Sequence, residues 1–166
     1  MARTKRFLVL LLVLIACAGC DQATKSLAEQ TLAGVPPQSY AGGLIHLAYT
    51  HNTGAFLGLG ASLPPAARFW IFTVLVTLLL VGLLIFALRI SEHTPLLVVV
   101  AIALVIGGGL SNLIDRLLND GQVVDFMLIA VGPLHTGIFN VADVAIMVGL
   151  GLMVLASFRV QEPATG

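Results

Sequence analysis

The chain has 166 residues, of which 58% are hydrophobic and 10% are charged. Soluble domains carry about 25% charged residues, so this composition excludes an ordinary soluble protein and indicates a polytopic membrane protein. Eight basic and eight acidic side chains give a formal net charge of zero, and this balance does not indicate a nucleic-acid partner.

The amino-terminal segment has two interpretations. Basic residues up to Arg6 precede an uncharged run over residues 7–20, which spans about 21 Å as a helix, less than a hydrocarbon core. Such a run is also typical of a signal peptide, and the segment from Cys17 to Cys20 is similar to the cleavage motif of a bacterial lipoprotein. We favour an uncleaved first helix over residues 7–31, because three more membrane-length runs follow.

Three later segments each match one bilayer crossing. Uncharged runs lie at residues 69–88 and 95–114, and a run over 138–158 carries a single acidic residue, Asp143. Since about 20 apolar residues span a bilayer, these runs predict helices two to four of a single membrane domain over residues 1–166. Small residues that favour close helix contacts occur in helices three and four as Gly107, Gly108, Gly109, Gly149 and Gly151.

Basic residues in the helix flanks predict the orientation in the membrane. With a cytoplasmic amino terminus, five of them lie inside and three outside, which favours cytoplasmic amino and carboxyl termini. The inside set is Arg3, Lys5, Arg6, Arg89 and Arg159, and the outside set is Lys25, Arg68 and Arg116. Two outer segments result, at about residues 21–67 and 116–137, and we expect a strand in each, at 43–50 and 123–129.

Polar side chains gather at the outer end of the predicted bundle. Asp143 lies in an apolar run, where a carboxylate costs roughly 2.5 to 3.5 kcal/mol to insert, so its default interpretation is functional. The topology places further polar residues on the same membrane face, namely Asp21, Asn112, Asp115, Asp125 and Asn140. This common depth indicates a site in the outer leaflet, beside a small sheet that could hold an extended peptide.

The acidic residues suggest a chemistry for this site. Two carboxylates that share a site hold one proton near neutrality, so one can activate water while the other donates to a carbonyl oxygen, as in aspartyl peptide hydrolysis. Spacing alone does not choose the pair among Asp21, Asp115, Asp125 and Asp143. Asp115 beside Arg116 favours a structural ion pair, and Asp21 could be a helix-end group.

Other functions match the pattern less well. His46, His51 and His135 lack the His-Glu-x-x-His spacing, so no metal site is expected. Ser111 lacks the final glycine of a serine-hydrolase elbow. A proton-coupled transporter also needs an acidic residue in the membrane, but usually near the midplane.

Five motifs occur in order along the chain. They are Asp21-Gln22-Ala23-Thr24-Lys25, Asn52-Thr53-Gly54-Ala55-Phe56, Gly108-Gly109-Leu110-Ser111-Asn112-Leu113-Ile114-Asp115-Arg116, Val123-Val124-Asp125-Phe126 and Phe139-Asn140-Val141-Ala142-Asp143. Together they resemble the motifs of lipoprotein signal peptidase, the type II bacterial signal peptidase, an integral membrane aspartyl protease. The resemblance extends over most of the chain, from helix one to helix four.

The resemblance implies an all-α membrane protein with four transmembrane helices, a small outer β-cradle and a short outer helix. It places the chain in the bacterial cytoplasmic (inner) membrane, in contact with membrane lipid. We expect a monomer, and the charge balance indicates no nucleic-acid partner. The implied substrate is a diacylglyceryl-prolipoprotein, cut on the amino side of its lipidated cysteine, and no cofactor is needed. The alternatives are a proton-coupled transporter and a lipidated membrane protein processed at Cys20.

Carried over position by position, the resemblance implies that Asp125 and Asp143 are the catalytic residues. The positions that would bind substrate or support the site are Asp21, Lys25, Asn52, Gly54, Gly108, Asn112, Arg116, Asn140 and Ala142.

Overall fold

Four long apolar helices dominate the computed structural model, which describes residues 3–159. Helix α1 spans Arg3–Leu32, α2 spans Pro65–Arg89, α3 spans Leu96–Leu118 and α4 spans Val141–Arg159. Each has the length and composition to cross a membrane. A small antiparallel sheet accompanies them, so the predicted fold class, four transmembrane helices with a small β-cradle, is confirmed.

The helix ends differ from the sequence prediction for physical reasons. Helix α3 is longer than the predicted 95–114 and includes Asp115 and Arg116, because both side chains find partners inside the protein. Helix α2 begins at Pro65, earlier than the predicted residue 69, since proline suits the first helical turn. Helix α4 begins later than the predicted residue 138, because Phe139 still pairs with a strand.

The sheet has four strands in the order β1-β2-β3-β4. They are β1 (Gln38–Tyr40), β2 (Ile45–Asn52), β3 (Val123–Val131) and β4 (Leu134–His135). The two predicted strands correspond to β2 and β3. Their antiparallel register places Thr50 opposite Asp125, so the end of β2 lies beside an acidic side chain of the site.

The described segment between β2 and α2 contains a 3₁₀ turn, Phe56–Gly58. Leu57 has a left-handed φ of 58° inside this turn, and the φ of Gly58 is 80°. Successive left-handed residues cannot continue a right-handed helix. The segment therefore forms an irregular loop beside the sheet.

Helix α3 lies at the centre of the bundle, with Ala101, Ile102 and Ala103 at most 1% exposed. Glycines allow its neighbours to approach closely. A Cβ added at Gly107 would lie 2.9 Å from Cys17 Cβ, and one added at Gly108 would lie 2.4 Å from the Ala142 carbonyl oxygen. The predicted close packing of helix three is confirmed at these positions.

The other glycines predicted to allow close helix contacts, Gly109, Gly149 and Gly151, divide into two groups. A Cβ added at Gly109 would lie 2.6 Å from the Leu80 side chain, and one added at Gly149 would lie 2.7 Å from the Ala101 carbonyl oxygen. Nothing lies within 4 Å of an added Cβ at Gly151, so the predicted helix contact at that residue is wrong. Gly149 faces α3, whereas Gly151 is two residues further along α4, and residues two apart do not share a helix face.

Replacing Gly108 by Ala is expected to destabilise the protein. The new Cβ would meet backbone, which cannot swing aside as a flexible side chain can, and overpacking of this kind costs about 1 to 3 kcal/mol. Gly151→Ala is the matched control, since it meets no atom and improves helix propensity. Thermal unfolding in detergent micelles compares the two, and a wild-type transition for Gly108→Ala would contradict the close contact.

Candidate active site

A buried polar cluster lies where the sheet meets the helix bundle. Its members are among the least exposed side chains of the protein, at 8% exposure or less, and they are Asp21, Lys25, Asn112, Asp115, Asp125, Asn140 and Asp143. Buried polar groups need hydrogen-bond partners, and here they are partners of one another. The structure thus brings together predicted site residues from α1, α3, α4 and β3.

Asn140 joins two of the carboxyl groups. Its Nδ2 donates to Asp125 Oδ1 at 2.7 Å, and its backbone N–H donates to Asp143 Oδ2 at 3.3 Å. In return, its Oδ1 accepts the backbone N–H of Asp143 at 2.9 Å. We call Asp125 and Asp143, linked through this asparagine, the carboxyl pair.

The local sequence explains the position of Asp143. Asn140 directly precedes α4, and Asp143 is the third residue of that helix. Their reciprocal side-chain to backbone bonds form a capping box, which satisfies backbone donors that the first helical turn leaves without partners. The amino end of α4 also favours a negative charge, so the carboxylate is fixed and stabilised by its own helix.

Asp125 reaches the pair from the sheet. It is 1% exposed, and Asn52 Nδ2 donates to its Oδ2 at 2.8 Å. Burial raises the pKa of Asp125 to about 7; the charge of Asp143 also raises it, while hydrogen bonds from Asn52 and Asn140 and the charge of Lys25 lower it. Asp125 therefore keeps a proton up to neutral pH.

Asn112 links the carboxyl pair to a buried cation. Its Nδ2 donates to Asp143 Oδ1 at 3.0 Å, and its Oδ1 accepts from Lys25 Nζ at 2.9 Å and from Asn140 Nδ2 at 3.0 Å. The side chain thereby connects α1, α3 and α4. The sequence left two roles possible for Asn112, an amide that joins helices and a residue that contacts substrate. In the structure its side-chain hydrogen bonds are made within the protein and join helices.

Lys25 forms ion pairs with two carboxylates. Its Nζ lies 2.7 Å from Asp21 Oδ2 and 2.9 Å from Asp115 Oδ2. The predicted structural pair of Asp115 with Arg116 is wrong, because adjacent residues on a helix point in different directions. Asp115 faces α1, where Gln22 Nε2 also donates to it at 2.7 Å.

Asp21 supports the start of α4 from the middle of α1. It is fully buried, and because α1 continues to Leu32 the interpretation as a helix-end group is wrong. Its Oδ1 accepts the backbone N–H of Ala142 at 2.7 Å, which is one of the donors left free in the first turn of α4. Ser111 Oγ donates to Asp21 Oδ2 at 2.7 Å, which fixes the orientation of the carboxylate.

Arg116 holds the loop that follows β2. Its Nη2 donates to the Gly54 carbonyl oxygen at 2.9 Å, and its Nη1 donates to the Asn112 carbonyl oxygen at 3.2 Å. Gly54 N–H donates to Asn52 Oδ1 at 2.8 Å, and a Cβ at Gly54 would lie 2.5 Å from the Leu59 carbonyl oxygen. Only glycine fits this turn, and the turn aims Asn52 at Asp125.

A cavity of about 240 Å³ opens beside Asp125. Asp125 and Asn52 line it, together with His51, Thr53, Leu57 and Ile138. Asp125 therefore faces space that a substrate can enter.

Sequence reasoning missed two contributors to the site. Gln22 follows Asp21 in the first motif and bonds Ser111 Oγ as well as Asp115; its place in that motif was the available signal. His51 lines the cavity, and its Nε2 lies 3.1 Å from the Tyr49 hydroxyl. A surface strand position gave no indication of this role.

Comparison with known proteins identifies the family. The family model described as "Signal peptidase (SPase) II" matches residues 13–159. The chain belongs to the signal peptidase II family. The predicted membership is thus confirmed, and with its four apolar helices the chain is a multi-pass membrane protein of a peptidase family.

Named relatives cover nearly the whole chain. The lipoprotein signal peptidase of Syntrophotalea carbinolica is 35% identical over 154 residues, which are 93% of this chain and 93% of the relative. That of Symbiobacterium thermophilum is 36% identical over 145 residues, 87% of this chain and 91% of the relative. A solved bacterial membrane enzyme, determined by the in meso method at 2.3 Å, matches with a TM-score of 0.73 and 26% identity, covering 94% of this chain and 88% of that one.

Proposed function

We propose that the protein is an aspartyl endopeptidase that removes signal peptides from diacylglyceryl-modified prolipoproteins and cuts on the amino side of the lipidated cysteine. The observation that carries the proposal is the carboxyl pair, in which Asn140 links Asp125 to Asp143 and Asp125 lines an open cavity. The substrate follows the family, whose named relatives are lipoprotein signal peptidases.

The two carboxyl groups divide the proton transfers between them. Asp143 accepts hydrogen bonds from Asn112 and from the Asn140 backbone, which suits the ionised form and the role of base. It removes a proton from water as the water oxygen attacks the scissile carbonyl carbon, while Asp125 donates its proton to the carbonyl oxygen. The tetrahedral intermediate then breaks at the C–N bond, and the leaving amine takes the proton from Asp143. One hydroxyl of the intermediate returns its proton to Asp125 as its oxygen becomes the carbonyl oxygen of the new carboxyl group.

The remaining predicted site residues act as supports in this proposal. Lys25 and Asn112 stabilise negative charge at the carboxyl pair through the chain Lys25 to Asn112 to Asp143. Asp21 and Ala142 fix the start of α4, and Gly108 allows α3 to reach it. Asn52, Gly54 and Arg116 hold the loop that borders the cavity.

The family and the flanking charges also support a membrane placement. We infer that both termini face the cytoplasm in the bacterial inner membrane and that the carboxyl pair lies at the outer leaflet. The diacylglyceryl chains of the substrate then stay among lipids while the peptide extends beside the sheet. A monomer suffices, since one chain supplies both carboxyl groups.

Cleavage is expected to weaken as pH rises through about 7. The acid in the mechanism is protonated Asp125, whose pKa is about 7, so kcat/KM falls roughly tenfold per pH unit once this proton is lost. In Asn52→Ala the ionised carboxylate loses a hydrogen bond that lowers the pKa of Asp125. The fall then moves to higher pH, and a shift to lower pH would contradict the assignment.

The proposed function is tested with two synthetic peptides of the same lipobox sequence, one carrying diacylglycerol on the cysteine and one without it. Purified protein in detergent is expected to cut the lipidated peptide and leave the other nearly intact. Mass spectrometry should find the lipidated cysteine at the new amino terminus, with and without a metal chelator. Cleavage at another bond, equal cleavage of both peptides or loss of activity with chelator would contradict the proposal.

A further inference from the structure

A second cavity, of about 470 Å³, lies at the opposite end of the bundle from the carboxyl pair. It is bordered by the first two turns of α1 and by the segments where α2 ends and α3 begins. Arg3 and Asp21 are about 27 Å apart along α1, so the cavity is separate from the proposed active site. Its volume falls within the usual range of ligand pockets, about 300 to 1,000 Å³.

Arg6 lines this cavity and has one N–H donor without a hydrogen-bond partner. Its side chain is buried, and its two terminal nitrogens donate to the carbonyl oxygens of Ser91 and Thr94, in the connection between α2 and α3. Its Nε is buried and has no hydrogen-bond partner. Leaving a buried donor unsatisfied is unfavourable, and a small shift of the Arg6 side chain that brought Nε to an acceptor oxygen in the cavity would remove that cost.

The basic side chains around the cavity favour an anionic ligand. Arg3 also lines it, with an exposed side chain, and Lys5 and Arg89 lie at the same end of the bundle. Among the described residues at this end, Glu92 is the one acidic side chain, and it is exposed on the connection between α2 and α3. Two guanidinium groups at one cavity favour a phosphate oxygen, which arginine binds well.

The rest of the lining is apolar. Phe7, Leu10, Ala87, Leu88 and Val99 form this wall, and Leu10, Ala87 and Val99 belong to the buried core between α1, α2 and α3. An apolar wall does not stabilise a free phosphate, whereas an acyl chain that packs against it buries apolar surface, which is favourable. The cavity thus combines a cationic part with an apolar part, as the two ends of a phospholipid require.

We propose that this cavity is a binding site for an anionic phospholipid of the leaflet at the end of the bundle where α1 begins. The lipid phosphate contacts Arg3 and, after a small shift of the side chain, Nε of Arg6, and an acyl chain lies along Phe7 and Leu10. The site is separate from peptide cleavage and holds α1 against the connection between α2 and α3. Substrate and lipid therefore bind at opposite ends of the same bundle.

Native mass spectrometry of the full chain released from detergent tests the proposal, with phosphatidylglycerol and phosphatidylcholine as the lipid probes. We expect phosphatidylglycerol to bind more tightly, and Arg3→Gln to weaken its binding about tenfold, as expected for the loss of a hydrogen bond between a guanidinium group and a phosphate. Lys5→Gln is the matched control, because it removes the same charge from an exposed neighbour that does not line the cavity. It should leave phosphatidylglycerol binding within about twofold of wild type.

The other outcomes would overturn the proposal. Equal weakening by Arg3→Gln and Lys5→Gln would indicate general surface attraction without a site. Equal binding of phosphatidylglycerol and phosphatidylcholine would show that the negative charge of the lipid does not contribute to binding. Glycerol phosphate, added as a competitor without acyl chains, should not displace the lipid; displacement at similar concentrations would indicate a phosphate-anion site. Peptide cleavage should be unchanged in Arg3→Gln, since the cavity lies far from the carboxyl pair.

Discussion

Replacing Asp143 by Asn is expected to lower kcat for cleavage of a diacylglyceryl-modified lipobox peptide by about a thousandfold or more. An amide cannot take a proton from water, so the proposed base is lost. The replacement keeps the size of the side chain, and its amide oxygen can still accept the hydrogen bond that Asn112 donates, so that only the longer bond from the Asn140 N–H is lost. The variant should therefore unfold at nearly the wild-type temperature, which separates loss of chemistry from loss of structure.

Asp125→Asn is expected to show a loss of similar size, because an amide cannot supply the proton to the carbonyl oxygen. The matched control is Asp120→Asn, an acidic residue in an exposed turn, where asparagine tolerates the left-handed φ of 51°. It should cleave at the wild-type rate. Normal cleavage by either variant of the carboxyl pair would exclude the proposed roles.

Replacing Lys25 by Met should produce the largest loss of stability, about 3 to 5 kcal/mol. Methionine fills much of the same space but leaves Asp21 and Asp115 buried without the cation that lies 2.7 and 2.9 Å from them. The two carboxylates would then repel each other at the junction of α1 and α3. Thermal unfolding in detergent micelles at neutral pH measures the effect as a large fall in the transition temperature.

Two further variants make the stability result specific. Lys5→Met removes an exposed lysine of the same helix and should leave the transition nearly unchanged. Adding Asp115→Asn to Lys25→Met removes one of the unpaired charges and should recover part of the loss. A transition of Lys25→Met within about 1 °C of wild type would contradict a buried ion cluster.

The sequence predicted the membrane fold well because the physical signal is strong. Twenty uncharged residues between Arg68 and Arg89 leave few options other than a crossing. Topology placed Asp125 and Asp143 on one membrane face together with other polar residues, and the resemblance to lipoprotein signal peptidase selected these two as the pair. The capping box of Asn140 and Asp143 was not predicted, although the three-residue spacing between them is the signal that could have found it.

Side-chain partners were harder to predict, since they depend on helix rotation. Asp115 and Arg116 are neighbours in sequence, yet one bonds Lys25 on α1 and the other bonds Gly54 in the loop after β2. The predicted end of α3 at residue 114 was wrong for a related reason. A charged residue usually marks the end of a membrane crossing, but Asp115 is neutralised by Lys25 inside the bundle. Neither the rotation nor the buried partner is encoded locally.

The central claim is that Asp125 and Asp143 act as one unit on a single water. It is tested most directly by the residual kcat of the double variant Asp125→Asn/Asp143→Asn beside those of the two single variants, all on the lipidated peptide. If the pair is one unit, losing either member already removes the chemistry, and the double variant should be within about threefold of the slower single variant. A double variant slower by the product of the two single losses would show independent contributions and contradict the shared mechanism.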